Sequence, residues 1–300
     1  MAKFLTLNIN GIRNKGLILA DYLQSSDVDF ALIQETKLKG TQRNPYIPGY
    51  TVAARRDNTL DPDDIACGGT MVLVKLGLAT TPLDTSSIDN NCAAISIDLP
   101  TVGKIAVVSM YVPPYRTSNI HTFSFSYFFQ NFSKVIIMGD FNAYHPCIDD
   151  VTIASNNRGD QLHTIINRFP FQIQNSNGAP TRLHHSTGSQ SLLDLIITTN
   201  NLTSFISHIF VGDDVGSDHL PVHLHLADAS RIHQEVRLTR NLKKANWDHF
   251  KELTKEKVDS LRHLEDNPPL SISDVDSVAA AVSEALTSAL DTVAPLKPIK

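Results

Sequence analysis

The sequence has few cysteines and no long apolar run. Only three cysteines occur among the 300 residues, and their positions, Cys67, Cys92 and Cys147, are far apart. An odd number of widely separated cysteines provides neither a disulfide framework nor a zinc-ligand pattern, which favours a reducing compartment. No apolar run approaches the roughly 18 residues that cross a bilayer, and the N-terminal segment MAKFLTLNIN lacks the apolar region of a signal peptide. These absences predict an intracellular protein that does not act in a membrane.

The sequence also lacks an excess of positive charge. Its formal net charge is −5 and its isoelectric point is about 6.2, which argues against a strongly basic nucleic-acid coat protein. Residues 229–300 contain 11 Lys and Arg against 11 Asp and Glu, so the acidic excess lies in residues 1–228. This balance is compatible with an enzyme that binds a metal ion and contacts DNA through a local basic strip.

Two common catalytic motifs are missing. No G-x-x-x-x-G-K-S/T segment occurs, which argues against nucleotide chemistry of the P-loop type. The segment GSDH at 216–219 does not match G-x-S-x-G, so a serine esterase has no support.

Short strand-like segments dominate residues 1–228. The run Val135–Met138 is apolar without alternation, as expected for a central strand buried on both faces. Few amphipathic helices separate such segments. The pattern predicts an α/β (α+β) fold, a four-layer αββα sandwich of two mixed β-sheets flanked by helices, rather than a doubly wound parallel sheet. Helices are predicted in this region at 16–25, 119–131 and 158–169.

Residues 229–300 differ in character from the rest. A charged amphipathic helix is predicted at 247–264, the pair Pro268-Pro269 ends it, and a second helix is predicted at 275–293. The segment has no catalytic pattern. We therefore expect a catalytic domain at 1–228 and a helical linker at 229–300 toward a domain absent from this chain.

Polar residues recur where the predicted strands end. In KVIIMGDFNAYH (134–145), Asp140 and Asn142 follow a buried strand and, two residues apart, point the same way. Such groups cost desolvation free energy unless they bind something. An Asx turn is the alternative interpretation, but the recurrence of the pattern favours a site. Its members are Asn8, Asn10, Glu35, Tyr111, Asp140, Asn142, Asp194, Asp218 and His219.

The chemistry of this set indicates a metal-assisted reaction. Carboxylates, carboxamides and one histidine suit a hard cation such as Mg²⁺ better than Zn²⁺. Protein-bound Mg²⁺ usually takes one or two carboxylates together with substrate phosphate. The set therefore favours hydrolysis of phosphoesters.

Six short motifs carry a resemblance to a known family. They are LNINGIR (7–13), IQETK (33–37), YVPP (111–114), GDFNA (139–143), LLDLIIT (192–198) and GSDHLPV (216–222). In this order they resemble the endonuclease/exonuclease/phosphatase superfamily, which includes abasic-site endonucleases. The resemblance covers residues 3–226 and is greatest to the endonuclease domain of non-LTR (jockey-like) retrotransposon polyproteins. The segments GDFNAYHP and NNRG (156–159) favour that branch.

The resemblance implies a metal site. Glu35 would hold the ion, helped by Asn8, Asn10 and Asp218, and the ion would be Mg²⁺, with Mn²⁺ as an alternative. Repair enzymes of the superfamily usually have Asp at the position of Asn10, so the site departs from theirs there.

The resemblance also implies groups that act on the phosphate. Asp140 would activate or position the attacking water, while Asn142 and Tyr111 would bind the scissile phosphate. Whether Asp140 or His219 is the general base is left open by the sequence.

The remaining motif residues would assist that reaction. Asp194 would orient His219 or its surroundings, and Asp218 with His219 would form a relay pair that stabilises the charged transition state. Repair enzymes have an aromatic residue at the position of Ser191, where it lines a pocket for an abasic sugar. Its absence here argues against specificity for abasic sites.

Contacts with DNA are predicted more weakly. Arg13, Lys37, Thr181 and Arg182 lie beside motif residues, where they could bind phosphates. A solvated or purely structural role is the alternative for each.

Three functions are compatible with this sequence. The first is a Mg²⁺-dependent endonuclease that nicks one strand of double-stranded DNA, so that the free 3′-hydroxyl primes a C-terminal reverse transcriptase copying the element RNA. That role predicts nuclear localisation. The second is a phosphatase or phosphodiesterase of the same superfamily, and the third is a catalytically inactive binding module. The sequence shows neither a membrane-binding stripe nor an inositol-specific basic cluster, which would favour the second, and the completeness of the motif set argues against the third.

Overall fold

The structure is a computed structural model, and its chain forms two compact units, Met1–Arg231 and Ile232–Lys300. Each unit is described by itself. The structure describes residues 1–58, 67–88, 91–115, 118–152, 154–184, 187–227, 238–239, 245–260, 272–294 and 297–298.

The first unit contains fourteen described strands and three described α-helices. The strands are β1 (Ala2–Asn8), β2 (Phe30–Gln34), β3 (Tyr50–Asn58), β4 (Cys67–Lys75), β5 (Thr81–Leu83), β6 (Cys92–Leu99), β7 (Gly103–Tyr111), β8 (Val135–Asp140), β9 (Phe171–Ile173), β10 (Arg182–Leu183), β11 (Gln190–Ser191), β12 (Asp194–Thr199), β13 (Ile206–Val211) and β14 (Val222–Leu226). The helices are α1 (Gly16–Ser25), α2 (Thr122–Asn131) and α3 (Asn157–Arg168), and a 3₁₀-helix spans Asn200–Phe205.

The strands form two mixed six-stranded sheets. The first sheet has the order β13–β14–β1–β2–β4–β3, and the second has the order β5–β6–β7–β8–β12–β9. In each sheet one pair is parallel, β1 with β2 and β7 with β8. A parallel pair needs a crossover connection, which α1 and α2 provide. The carboxyl ends of these four strands carry most of the predicted site residues.

Three hydrophobic clusters separate four layers. The inner cluster between the sheets includes Phe4, Leu32, Val107, Ile136 and Met138. A second cluster joins the outer face of the first sheet to α1 through Leu5, Leu7, Leu19 and Leu23. A third joins the outer face of the second sheet to α2 and α3 through Val108, Phe125, Phe128, Ile137 and Leu162. The predicted αββα sandwich is therefore confirmed.

Strand β8 is the central strand that its apolar run predicts. All six of its residues are buried, and Ile136 and Ile137 point into different clusters on the two faces of the sheet. The strand extends beyond the apolar run and continues through Gly139 to Asp140. A Cβ at Gly139 would lie 1.8 Å from the Met110 carbonyl oxygen on β7. Glycine is thus required at this position for the close approach of the two strands.

The other predicted elements differ from the structure mainly at their ends. Helix α1 has the predicted bounds, whereas α2 begins at Thr122 rather than at residue 119. The Asn119 side chain instead accepts hydrogen bonds from Asn157 and Gln161, at 3.0 and 2.8 Å. Strands β5, β10 and β11 have two or three residues, too few for the periodic pattern by which strands are predicted.

The second unit is largely helical in its described part. It contains α4 (Trp247–Ser260), α5 (Ile272–Val293) and a short antiparallel pair of β15 (Leu238–Thr239) and β16 (Lys297–Pro298). Residues 261–264 of the predicted first helix lie outside the described residues. The assignment of 1–228 to catalysis and 229–300 to a linker stays a prediction. Among the described helices, none combines the length and the apolarity that crossing a bilayer requires.

Candidate active site

The strand ends of the two sheets meet at one place. Asp140 is the register partner of Tyr111 on β7 and of Asp194 on β12, so three polar side chains lie side by side. From the first sheet, the buried Asn8 donates from Nδ2 to Asp140 Oδ2 and to Glu35 Oε1, both at 2.9 Å. One carboxamide therefore joins the two sheets and holds a carboxylate from each.

Glu35 is held from several sides. Its Oε1 accepts hydrogen bonds from Asn8 and, at 2.9 Å, from the Tyr111 hydroxyl, and its Oε2 lies 3.1 Å from Lys37 Nζ. Burial alone would raise the pKa of Glu35, but these hydrogen bonds and the Lys37 charge lower it below its ordinary value. Burial and the Glu35 charge raise the pKa of Tyr111. Glu35 is therefore a carboxylate and Tyr111 a protonated donor at neutral pH.

Asp140 is fully buried, and Asn142 caps it. The Asn142 backbone N–H donates to Oδ1 at 3.0 Å, and its Nδ2 donates to Oδ2 at 3.1 Å. The same Nδ2 donates to the Val112 carbonyl at 3.1 Å, so both amide hydrogens are used inside the protein. In this arrangement Asn142 orients Asp140, and the predicted contact of Asn142 with the phosphate requires one of these bonds to open. Burial and the neighbouring Asp194 charge raise the pKa of Asp140 to about 7.

His219 lies between two buried carboxylates. Its Nδ1 is 2.7 Å from Asp194 Oδ2, and its Nε2 is 3.8 Å from Asp140 Oδ2. Burial alone would lower the pKa of His219, but the charges of Asp194 and Asp140 raise it to about 9. At neutral pH the ring is therefore an imidazolium, which is hydrogen-bonded to Asp194 and faces Asp140.

The predicted relay pair of Asp218 and His219 is wrong. Asp194 is the carboxylate that pairs with the His219 ring, whereas Asp218 accepts hydrogen bonds from Asn10 Nδ2 at 3.1 Å and Arg182 Nε at 3.2 Å. The two consecutive side chains point in different directions. His219 faces the interior, and Asp218 is partly exposed at the rim.

The four predicted DNA contacts have different surroundings. Arg13 is exposed, and Lys37 and Arg182 are partly exposed in ion pairs with Glu35 and Asp218. The predicted contact by Thr181 is wrong. Thr181 is fully buried, and its Oγ1 accepts hydrogen bonds from the backbone N–H groups of Leu193 and Asp194, at 3.1 and 3.0 Å. It holds the start of β12.

The backbone at the site has an unusual conformation. Among the described residues, six other than glycine have positive φ, and four of these lie at the site, with φ between 45° and 51°. They are Asn10, Glu35, Lys37 and Asn142. This conformation is costly for Glu and Lys, on the order of 1–3 kcal/mol each. Such strain clusters where the surrounding structure fixes side chains for a function.

A residue that the sequence analysis missed is Arg158. It is almost fully buried at the start of α3, where its Nε donates to the Asn142 carbonyl at 2.7 Å and its Nη1 to the Tyr115 carbonyl at 2.8 Å. The Asn156 side chain also donates to the Asn142 carbonyl, at 2.9 Å. The NNRG segment thus fixes the turn that orients Asp140. The only sequence signal was the segment itself, which carries no periodicity.

Two places offer ligands for a cation. Asp140, Asp194 and His219 present ligand atoms within 4.8 Å of one another, and Asp194 Oδ1 is buried without a hydrogen-bond partner among the described residues. At the second place the Lys37 ammonium contacts Glu35 Oε2 and Asn10 Oδ1, so a positive charge already lies between two oxygens. The second place fits Mg²⁺ better, because it offers only oxygen ligands and is partly exposed. The first contains an imidazole that is already paired with Asp194.

Comparison with known sequences identifies relatives of this chain. Residues 105–223 match a protein family described as endonuclease-reverse transcriptase. The chain is 28% identical over 217 residues to the RNA-directed DNA polymerase from mobile element jockey of Drosophila melanogaster, which covers 72% of this chain and 22% of that protein. It is 28% identical over 235 residues to the probable RNA-directed DNA polymerase from transposon X-element of the same species, covering 77% and 24%. The chain thus spans less than a quarter of the length of either relative.

Solved structures share the fold. The endonuclease domain of TRAS1, a telomere-specific non-LTR retrotransposon, superposes with a TM-score of 0.58 at 22% identity, covering 76% of this chain and 99% of that domain. The catalytic domain of Xenopus laevis APE2 gives a TM-score of 0.57 at 17% identity, covering 75% and 91%. The two-sheet fold, the matched segment and the sequence relatives agree with the motif order. The chain is thus similar to the endonuclease-reverse transcriptase family over residues 105–223 and to two RNA-directed DNA polymerases of mobile elements, and it shares the fold of the endonuclease domain of a non-LTR retrotransposon.

Proposed function

We propose that this chain is a divalent-metal-dependent DNA endonuclease that nicks one strand of a duplex by hydrolysing a phosphodiester. The observation that carries the proposal is the buried series in which Asp194 pairs with His219 and His219 faces Asp140. A structural role does not require three ionisable groups buried together at the ends of two sheets. Such groups stay buried only when they are paired, and paired groups with shifted pKa values are typical of catalytic sites.

The protonation states of Asp140 and His219 give the two residues different roles in the reaction. Asp140, with its raised pKa, accepts the proton of the attacking water, because a base acts best with a pKa near the working pH. His219 enters the reaction as an imidazolium, so it stabilises the negative charge that develops on the phosphate. Asp194 keeps that ring charged and oriented. This assignment favours Asp140 as the general base.

The metal ion is proposed to be Mg²⁺, with Mn²⁺ as a substitute. Glu35 would hold it, with Asn10 and Asp218 beside it, and the Lys37 ammonium would move aside on binding. Asn8 uses its Nδ2 for Glu35 and Asp140, and its Oδ1 accepts from the Asn10 backbone N–H at 3.1 Å, so it acts as a support of the ligands. When bound, the ion would neutralise phosphate charge and polarise the ester. Tyr111 would keep Glu35 in place.

The biological setting follows from the relatives. Both curated relatives are RNA-directed DNA polymerases. We propose that the nick supplies a 3′-hydroxyl from which a reverse transcriptase in the same polyprotein copies the element RNA. The substrate would then be chromosomal DNA, which places the activity in the nucleus.

The test is conversion of supercoiled plasmid to open circles by the whole chain. We expect open circles with Mg²⁺, none with EDTA, and at least a hundredfold loss of rate in Glu35→Gln and Asp140→Asn. Asp98→Asn is the matched control, because Asp98 is an exposed acid on β6 away from the site. Binding of Mn²⁺, followed by electron paramagnetic resonance, should weaken in Glu35→Gln and stay unchanged in Asp98→Asn.

The result that contradicts the proposal is equally specific. Nicking that survives in both site variants, or that does not need a divalent cation, would assign the plasmid cleavage to a contaminant. Absence of nicking by folded wild-type chain would reject the endonuclease and favour a phosphatase substrate or an inactive module.

A further inference from the structure

A layer of buried polar side chains lies between the two sheets, next to the candidate site. Its members are Thr6 on β1, Gln34 on β2 and Ser109 on β7. All three are fully buried. Side chains two residues apart in a strand share a face, and the residues two positions earlier, Phe4, Leu32 and Val107, belong to the inner cluster. We call this set of three residues the polar layer.

One continuous series of hydrogen bonds connects the polar layer. The Thr6 hydroxyl donates to Gln34 Oε1 at 3.1 Å. Gln34 Nε2 donates to Ser109 Oγ at 2.9 Å and to the Leu32 carbonyl at 3.0 Å. The Ser109 hydroxyl donates to the Ile33 carbonyl at 3.2 Å, so Ser109 makes two bonds from the second sheet to β2. Each side-chain N–H and O–H of the polar layer therefore has an acceptor.

The polar layer does more than fill the interior. Apolar side chains of similar volume would fill the same space without the cost of desolvating polar groups. Apolar contacts are not directional, whereas a fully satisfied network of buried hydrogen bonds specifies one arrangement of the groups that it joins. The bond between Gln34 and Ser109 therefore fixes the position of β2 relative to β7.

The position of β2 relative to β7 sets the geometry of the site. Gln34 is followed by Glu35, whose Oε1 accepts a hydrogen bond from the Tyr111 hydroxyl at 2.9 Å. Tyr111 lies two residues beyond Ser109, on the same face of β7. The two contacts are thus successive links between the same two segments. A displacement of β2 would break both links and move the Glu35 carboxylate relative to Asp140, the register partner of Tyr111.

From this geometry we infer that Gln34 is a positioning residue, which fixes Glu35 against the second sheet through its hydrogen bond to Ser109. The inference rests on the proposed function, in which Glu35 holds the divalent cation. The Gln34 side chain is fully buried and uses both amide hydrogens inside the protein, so it acts through Glu35 and not on the DNA.

The test measures metal affinity separately from nicking. Binding of Mn²⁺ to the whole chain without DNA is followed by electron paramagnetic resonance, and plasmid nicking gives the rate and the KM. Gln34→Met keeps the length of the side chain and removes its hydrogen bonds. Groups that support metal ligands typically change affinity or activity by about 10–100-fold, so we expect both the Mn²⁺ affinity and the rate at saturating plasmid to fall at least tenfold. The KM for plasmid should stay within about twofold, because Gln34 does not contact the substrate.

A second variant and a matched control complete the design. Ser109→Ala removes only the partner on β7, and we expect the same changes, of about tenfold. Thr198 is fully buried near the end of β12 that is remote from Asp194, and it accepts a hydrogen bond from Gln174 at 2.8 Å. Thr198→Val removes this bond at similar volume. It should lower the unfolding temperature and leave the Mn²⁺ affinity and the nicking rate unchanged.

The outcomes separate this inference from the proposed function. Unchanged Mn²⁺ affinity and nicking in folded Gln34→Met, or in Ser109→Ala if the first variant does not fold, overturns the role of Gln34. An equal fall in Thr198→Val overturns it too, because a general loss of stability would then be the cause. In both cases nicking that depends on Glu35 would still stand. A folded wild-type chain that neither binds Mn²⁺ through Glu35 nor nicks plasmid overturns both proposals.

Discussion

At the scale of single residues, two buried acids have different roles because they contact His219 differently. Its Nδ1 is paired with Asp194 at 2.7 Å, and its Nε2 faces Asp140 at 3.8 Å. One acid therefore holds the ring charged, and the other, with a pKa raised to about 7, can exchange a proton near neutral pH. Two chemically identical side chains acquire different roles because only one of them is hydrogen-bonded to the imidazole.

The first prediction at this scale is the pH dependence of nicking. Asp140 must be deprotonated to act as a base, so the rate should rise with pH through about 7. His219 must stay protonated to stabilise the transition state, so the rate should fall through about 9. Single-turnover nicking at constant ionic strength gives the profile. A flat profile, or one that falls between these two values, would reject the assignment of base and imidazolium.

The second prediction concerns Asp194. Replacing Asp194 by Asn keeps a hydrogen-bond acceptor near Nδ1 but removes the charge that raises the pKa of His219. We expect this pKa, measured from the imidazole protons by NMR, to fall by more than one unit, since a charge pair at hydrogen-bond distance shifts a pKa by about 1–3. Asp218→Asn is the control, with a smaller fall. Equal effects of the two variants would mean that Asp218 acts on His219 as strongly as Asp194 does, as the relay pair requires.

At the scale of elements, the site depends on strand register. Tyr111, Asp140 and Asp194 are neighbours because β7, β8 and β12 pair in one register. A slip of one residue would turn each side chain to the other face of the sheet. Gly139 allows this register, since any side chain there would meet the backbone of β7.

The prediction at this scale is that Gly139→Ala destabilises the fold. The added Cβ would lie 1.8 Å from the Met110 carbonyl oxygen, so the two strands must separate. We expect the free energy of unfolding, measured with urea, to fall by about 3 kcal/mol, toward the upper end for overpacking. Gly40→Ala is the control, because a Cβ there would lie 4.0 Å from its nearest neighbour. Comparable stability of the two variants would show that β7 and β8 do not need their close approach.

The elements also show how far the sequence could predict the site. The strand-end pattern predicted Asn8, Glu35 and Asp140 together, because apolar runs that stop at polar residues are visible without a structure. The motifs placed both Asp194 and Asp218 beside His219, and only the structure shows that Asp194 alone pairs with the ring, since that depends on which way the segment turns its side chains. Nor could it predict the buried Arg158, because one arginine in a first helical turn resembles a solvated one.

At the scale of the whole molecule, the candidate site and the helical segment lie in different parts of the sequence. The unit Met1–Arg231 contains both six-stranded sheets, the three hydrophobic clusters and every residue of the candidate site. A sandwich of this size buries enough apolar surface to fold independently. The described part of Ile232–Lys300 has its own contacts, in which α4 packs against α5. Catalysis and the helical segment should therefore be separable.

The last prediction follows from this division. A fragment of residues 1–231 should unfold in one cooperative transition and keep plasmid nicking that needs both Mg²⁺ and Glu35, at a rate within about threefold of the whole chain, a difference below 1 kcal/mol. Calorimetry and the plasmid assay measure the two properties on the same preparation. A folded fragment that has lost nicking would mean that residues 232–300 take part in DNA binding or in the reaction, and fluorescence anisotropy of a labelled duplex with the fragment would then distinguish lost binding from lost chemistry.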